Sequence, residues 1–135
     1  MNRLQRSSAT RPRVLIVDDD PIFRTMAASC LSVSGLEAVG AGDGVEALDI
    51  LDRQAFDLAL IDLSMPRVDG FRLIGLIRGT PALARLSILV LSARLDIAAF
   101  NEALALGANA FQTKPIDWRI LPLQARYLIG VPLAT

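Results

Sequence analysis

Short apolar runs recur along the chain, and most of them stop on a residue that carries chemistry. Arg13–Val17 runs into Asp18, Asp19 and Asp20, and Leu58–Asp62 ends on its own carboxylate. Ile88–Leu91 ends on Ser92, and Ala110–Thr113 ends on Lys114. None of these runs alternates with period two, so each predicts a strand covered on both faces, as in a parallel α/β sheet. Leu36–Ala41 supplies a fifth short strand, followed by Gly42-Asp43-Gly44 as its turn.

Between the strands the apolar spacing becomes helical. Pro21 suits a first helical turn, with Asp19 or Asp20 as its cap. This helix is expected to reach about Ser34, with Phe23, Ala27, Cys30, Leu31 and Ser34 near one stripe and Gly35 ending it. A second helix covers about Val45 to Arg53 and buries Ala47, Leu48 and Leu51; a third, Phe71 to Arg78, buries Leu73, Ile74 and Ile77. Gly79-Thr80-Pro81 breaks the third helix, and Ala82–Arg85 can add one turn. Asp96 to Leu106 is a fourth, closed by Gly107. The last runs roughly from Asp117 to Ile129, with Pro122 either delaying its start or bending it. Five strands alternating with helices predict a doubly wound parallel sheet in one domain over residues 13–130. Residues 1–12, which include Arg3, Arg6 and Arg11, have no apolar period and are expected to be a loose tail, as are residues 131–135.

Composition narrows the chemistry. With 135 residues, 53% of them hydrophobic, the chain can bury one good core. Fourteen basic and fourteen acidic residues cancel, so there is no global footprint for nucleic acid, and no direct DNA binding is expected. No apolar run is long enough for a membrane span and no signal-peptide core is present, so no membrane partner is expected. The single cysteine, Cys30, cannot form an internal disulfide and reads as a small core residue in a cytoplasmic protein. Histidine is absent, which excludes histidine acid–base chemistry, histidine metal ligation and a histidine phospho-donor within the chain. Thirteen of the fourteen basic residues are arginine; Lys114 is the only lysine. A compact ammonium retained against that bias suggests a place where a planar guanidinium does not fit.

Strands that end on Asp18 and Asp19, Asp62, Ser92 and Lys114 put their chemistry where open α/β sheets place their sites, outside the carboxyl ends of the strands. The segments Val17-Asp18-Asp19-Asp20-Pro21, Ile61-Asp62-Leu63-Ser64-Met65-Pro66, Asp69-Gly70, Leu91-Ser92-Ala93 and Lys114-Pro115 resemble a bacterial response regulator receiver domain, from about Arg13 to Ile129. The resemblance implies a flavodoxin-like sheet in the order 2-1-3-4-5, which sets strands 1 and 3 side by side. It further implies that Asp62 accepts a phosphoryl group, that Asp18 and Asp19 are the acid pair holding magnesium, that Ser92 is the switch hydroxyl and Lys114 the site lysine, and that Phe111 stands where the family has a mobile aromatic. The Ser64 backbone carbonyl is a further expected metal ligand, and the Lys114–Pro115 bond is expected to be cis. Ser64 and Arg94 fall at the family's variable positions that tune attack of water on the aspartyl phosphate.

Elementary electrostatics supports the cation. Two carboxylates about 4 Å apart repel by roughly 4 kcal/mol at an effective dielectric of ~20. An oxygen-only ligand set suits Mg²⁺ or Mn²⁺, with Asp19 and Asp62 expected to bind directly and Asp18 through water. Bland readings stand beside these roles: Asp20 as a helix cap only, Ser92 as a strand-end hydroxyl, Phe111 as core filling.

The expected function is therefore a phospho-accepting receiver of a two-component system or phosphorelay. It would take its phosphoryl group from a histidine kinase or histidine phosphotransfer protein, catalyse its own phosphorylation and slow dephosphorylation, and signal to a downstream protein through helix 4, strand 5 and helix 5. The last helix is strongly apolar, with Trp118, Ile120, Leu121, Leu123, Tyr127, Leu128 and Ile129. Either a partner or a second copy covers part of it, or it lies deep in the core. The first case admits a second class of function, a phosphorylation-independent dimerisation module. A third class, a metal-dependent phosphatase, is disfavoured because Ser64 stands where its commonest motif has a second aspartate. Only a few residues follow Ile129, so output is expected from partners unless the chain is a fragment of a larger regulator, against which Met1 argues mildly.

Overall fold

The computed structural model describes residues 11–65, 68–93 and 96–131. The expected tails fall outside this range except for Arg11, Pro12 and Val131, and Arg94 also lies outside it. Five strands form one sheet: β1 (Arg13–Val17), β2 (Glu37–Ala41), β3 (Leu58–Asp62), β4 (Ser87–Ser92) and β5 (Ala110–Thr113). The order is β2-β1-β3-β4-β5 and every pairing is parallel, so the fold is the flavodoxin-like receiver fold expected from the sequence. The helices are α1 (Pro21–Val33), α2 (Gly44–Arg53), α3 (Gly70–Arg78), α4 (Ile97–Leu106) and α5 (Leu121–Ile129), with a 3₁₀ turn at Pro81–Leu83.

The continuous apolar strands follow from this layering. Alternate residues of the central strands face opposite helical layers, so both sets must be apolar. Leu15, Val17, Ala59, Ile61, Ile88 and Val90 pack in the core with α2, α3 and α4. Val14, Ile16, Leu58, Leu60, Leu89 and Leu91 pack with α1 and α5. The helix stripes fall as predicted for α3 and nearly so for α2: Ala47, Leu51, Leu73, Ile74 and Ile77 are buried, and Leu48 is half-buried. In α1, Ala27 and Leu31 are buried while Phe23 and Cys30 are half-buried.

Helix ends follow their side-chain chemistry. Asp20, Asp43, Asp69 and Asp96 each accept a backbone N–H in the first turn of α1, α2, α3 and α4. Gly35, beyond the end of α1, takes φ +86°, a left-handed conformation that any side chain would strain. α5 begins at Leu121, four residues later than the sequence suggests, because Pro122 fits only a first turn. The alternative of an α5 deep in the core does not hold for all of it. Leu121, Ala125 and Ile129 are buried, but Ile120, Leu123 and Tyr127 face outward.

Candidate functional site

Three parallel strands deliver the site. β1 pairs with β3 over Val17↔Ile61, so the residues following β1 and the last residue of β3 emerge together. The carboxylates of Asp18, Asp19 and Asp62 offer oxygens that all lie within 4.8 Å of one another. Asp18 is buried at 1% exposure and Asp62 at 7%, whereas Asp19 is open to solvent. β5 brings Lys114 to the same place: its Nζ lies 2.6 Å from Asp18 Oδ2 and 3.7 Å from Asp62 Oδ2. One ammonium thus contacts two of the three clustered carboxylates.

Backbone contacts fix the acids. The Asp20 amide donates to Asp18 Oδ1 at 2.9 Å, and the Ser64 amide donates to Asp62 Oδ1 at 3.2 Å. Arg24, one turn into α1, donates from Nη1 to the Asp18 carbonyl at 2.7 Å. The Lys114 amide donates to the Ser92 carbonyl at 2.8 Å, tying the ends of β4 and β5 together. The Lys114–Pro115 bond is cis, as the resemblance implies.

Gly70 explains why α3 can start so close to the site. A Cβ built there would stand 2.4 Å from the Asp62 carbonyl oxygen and 2.6 Å from Leu63 Cα, distances at which the backbone must shift. Only glycine lets the helix approach the end of β3 this closely.

Burial is the largest influence on Asp62 and pushes its carboxyl above the ordinary carboxylate range, with Asp18 and Asp19 adding to the rise. The Ser64 amide and the Lys114 ammonium pull in the opposite direction without cancelling it. A cluster that resists carrying its full negative charge favours a cation with hard oxygen preferences, and three carboxylates with no nitrogen or sulfur donor fit Mg²⁺ or Mn²⁺.

The other predicted residues sit around this centre. Ser92 is fully buried at the end of β4, one residue beyond Leu91, the register partner of Asp62. Asp20 caps α1 through Ile22 N–H and is exposed. Ser64 is exposed at the rim. Phe111 pairs in register with Val90, is half-buried, and meets the edge of Phe100 from α4 with centroids 5.4 Å apart. Sequence reasoning missed Arg24 and the approach of Phe23 to Lys114, contacts that arise only where the first turn of α1 meets the residues following β1 and β5. The helical offset of both from Asp19 and Asp20 was the one available signal.

Known proteins agree with this geometry. Residues 14–125 match the family model described as a response regulator receiver domain. The chain is 36% identical over 110 residues to the gliding motility regulatory protein of Myxococcus xanthus and 35% identical over 119 residues to the response regulator protein FleR of Pseudomonas aeruginosa, matches that take in 82% and 87% of this chain. It spans 14% and 25% of those two relatives, but 92% of an uncharacterised 14.6 kDa protein of Leptolyngbya boryana, to which it is 34% identical over 88% of its own length. A response regulator receiver protein from Pseudomonas putida superposes with a TM-score of 0.81 at 36% identity, covering 88% of this chain and 98% of that one. The chemotaxis protein CheY4 of Vibrio cholerae gives 0.84 at 28% identity, covering 88% and 99%. Shared sequence across nearly the whole domain and a shared fold lead to one assignment: the chain belongs to the response regulator receiver domain family.

Proposed function

We propose that the protein accepts a phosphoryl group on Asp62 from a partner's phosphohistidine and signals through protein contact. The observation that carries this reading is the convergence of Asp18, Asp19 and Asp62 within 4.8 Å beside the Lys114 ammonium. An oxygen of the Asp62 carboxylate forms the new O–P bond as the N–P bond of the donor imidazole breaks, and the imidazole nitrogen keeps the bonding pair and takes a proton from solvent. Lys114 neutralises charge on the transferring group, moving its donation from Asp18 toward Asp62. Asp19, Asp62 and the Ser64 carbonyl would hold Mg²⁺ or Mn²⁺ directly and Asp18 through water; the ion supplies neutralisation of the phosphoryl oxygens. Ser92 and Phe111 are the switch pair in this reading. Buried Ser92 stands beside the acceptor strand, and Phe111 touches α4 through Phe100. Upstream, the partner is a histidine kinase or histidine phosphotransfer protein; downstream, it is a protein docking on α4, β5 and α5. Among the described residues no helix is long and apolar enough to cross a membrane, which accords with a cytoplasmic setting.

Incubation with Mg²⁺ and a small phospho-donor should label the wild type with an alkali-labile adduct and leave Asp62→Asn unlabelled. Equal labelling of the two proteins refutes the assignment.

A second reading has its own observation. Ile97, Phe100 and Leu104 of α4 and Ile120, Leu123 and Tyr127 at α5 are large apolar side chains left facing outward. Such surface supports an interaction module or homodimer that does not need phosphate. Sedimentation with and without beryllium fluoride, a phosphoryl mimic, separates the two: association that is identical in both conditions favours the module.

A further inference from the structure

Besides two carboxylates, the Lys114 ammonium has a third neighbour. Its Nζ stands over the face of the Phe23 ring, 4.2 Å from the centroid. The same ring meets Trp118, in the segment between β5 and α5, with centroids 5.4 Å apart and planes tilted by 42°. The Trp118 carbonyl in turn accepts from Cys30 Sγ of α1 at 3.2 Å. Phe23 and Trp118 belong to the α1/α5 layer, on the opposite face of the sheet from Phe111.

A lysine has a flexible stem and many rotamers, yet phosphoryl transfer needs its ammonium in one place. In this site the Nζ donates to Asp18 and must be free to turn toward Asp62. An aromatic face attracts a cation through its quadrupole and offers no lone pair that competes for the ammonium protons. Phe23 can therefore hold Nζ in position whichever oxygen receives its hydrogen bond. An aliphatic side chain of equal volume would fill the space and lose the attraction.

We propose that Phe23 is a positioning residue for Lys114, and that Trp118 braces the Phe23 ring so that occupancy of the carboxylate site is sensed in the α1/α5 layer. The proposal rests on the phospho-acceptor reading of Asp62.

The test uses the full chain, Mg²⁺ and beryllium fluoride, with binding followed by calorimetry and by emission of Trp118, the single tryptophan. Phe23→Leu should weaken binding of the mimic about fivefold, the factor set by a partly desolvated cation–π contact. Phe23→Tyr, which keeps a ring face, should stay within about twofold of wild type. In a Lys114→Met background, Phe23→Leu should have no further effect, because the contact it removes is already gone. Emission of Trp118 should change when the wild type is saturated and should not change in Phe23→Leu.

Wild-type affinity in Phe23→Leu, or the same fivefold loss without Lys114, overturns the positioning role, since a merely structural ring acts independently of the lysine. Equal losses in the Leu and Tyr variants overturn it as well. Unchanged Trp118 emission in the wild type, or a full change in Phe23→Leu, overturns the bracing. A wild type that binds no mimic with Mg²⁺ overturns the phospho-acceptor reading, and the positioning role with it.

Discussion

Replacing Asp62 with Asn should make the metal-free protein more stable, not less. The side chain keeps its shape and can still accept the Ser64 N–H, but its charge disappears. At 4.8 Å and an effective dielectric of ~20, each carboxylate–carboxylate repulsion is about 3.5 kcal/mol; the attraction to Lys114 at 3.7 Å is about 4.5 kcal/mol. Asp19 is exposed, so solvent screens its share. Two repulsions, one of them screened, and the burial of Asp62 together outweigh the single attraction by about 1–2 kcal/mol. For a domain of this size that is a rise in melting temperature of about 4–8 °C for Asp62→Asn, measured in EDTA at neutral pH.

The pH dependence has a definite sign. Because the folded-state pKa of Asp62 is raised, the stability this group contributes is present below the ordinary carboxylate value and is lost as pH rises through the raised one. The advantage of Asn should therefore be full above the raised value and vanish as pH falls to the ordinary one. Added Mg²⁺ should reverse the order. At a hundred times its dissociation constant the ion stabilises the wild type by about 2.7 kcal/mol, and the variant lacking a charged ligand by less. An Asp62→Asn protein that melts at or below wild type in EDTA at neutral pH would refute this account of the site's electrostatics.

Three further outcomes follow from named contacts. Lys114→Met leaves the buried Asp18 carboxylate without its ammonium, so metal-free stability should fall by about 2 kcal/mol in urea unfolding and labelling from a small phospho-donor should slow by about tenfold to hundredfold. Gly70→Ala forces a Cβ against the Asp62 carbonyl and should cost about 3 kcal/mol or more by the same unfolding assay, while Gly75→Ala, whose Cβ meets nothing within 4 Å, should be neutral or slightly stabilising. If the outward apolar side chains of α5 form a contact between copies, the paired change Leu123→Glu and Tyr127→Glu should abolish self-association in sedimentation and leave phosphoryl labelling intact.

Much of the fold was legible because the local signals agree with one another. Strands buried on both faces must be apolar throughout, and Asp20 was legible as a cap of α1, while the turn residues Asp43 and Asp69 and the helix-opening Asp96 also prove to be caps. Asp18 and Asp62 could be singled out because each follows or ends an apolar run at the carboxyl end of a strand. Asp57 shows the complement. It too is an almost fully buried carboxylate, but it precedes β3 and accepts the Arg13 N–H at 2.8 Å, so it anchors the opposite end of the sheet. What stayed hidden depends on contacts between distant segments. No pattern along the chain says that a ring in α1 lies over a lysine more than ninety residues later, or that α5 turns Leu123 and Tyr127 outward while burying Leu121, Ala125 and Ile129. The parallel sheet accounts for both halves of this division. It collects the strand ends at one edge, so residues there converge by topology alone, and a sequence that marks its strands also marks that edge. Helix faces are set by packing against the sheet and against each other, and an apolar residue in a helix has the same signature whether its partner is the core, a lysine ammonium or another protein.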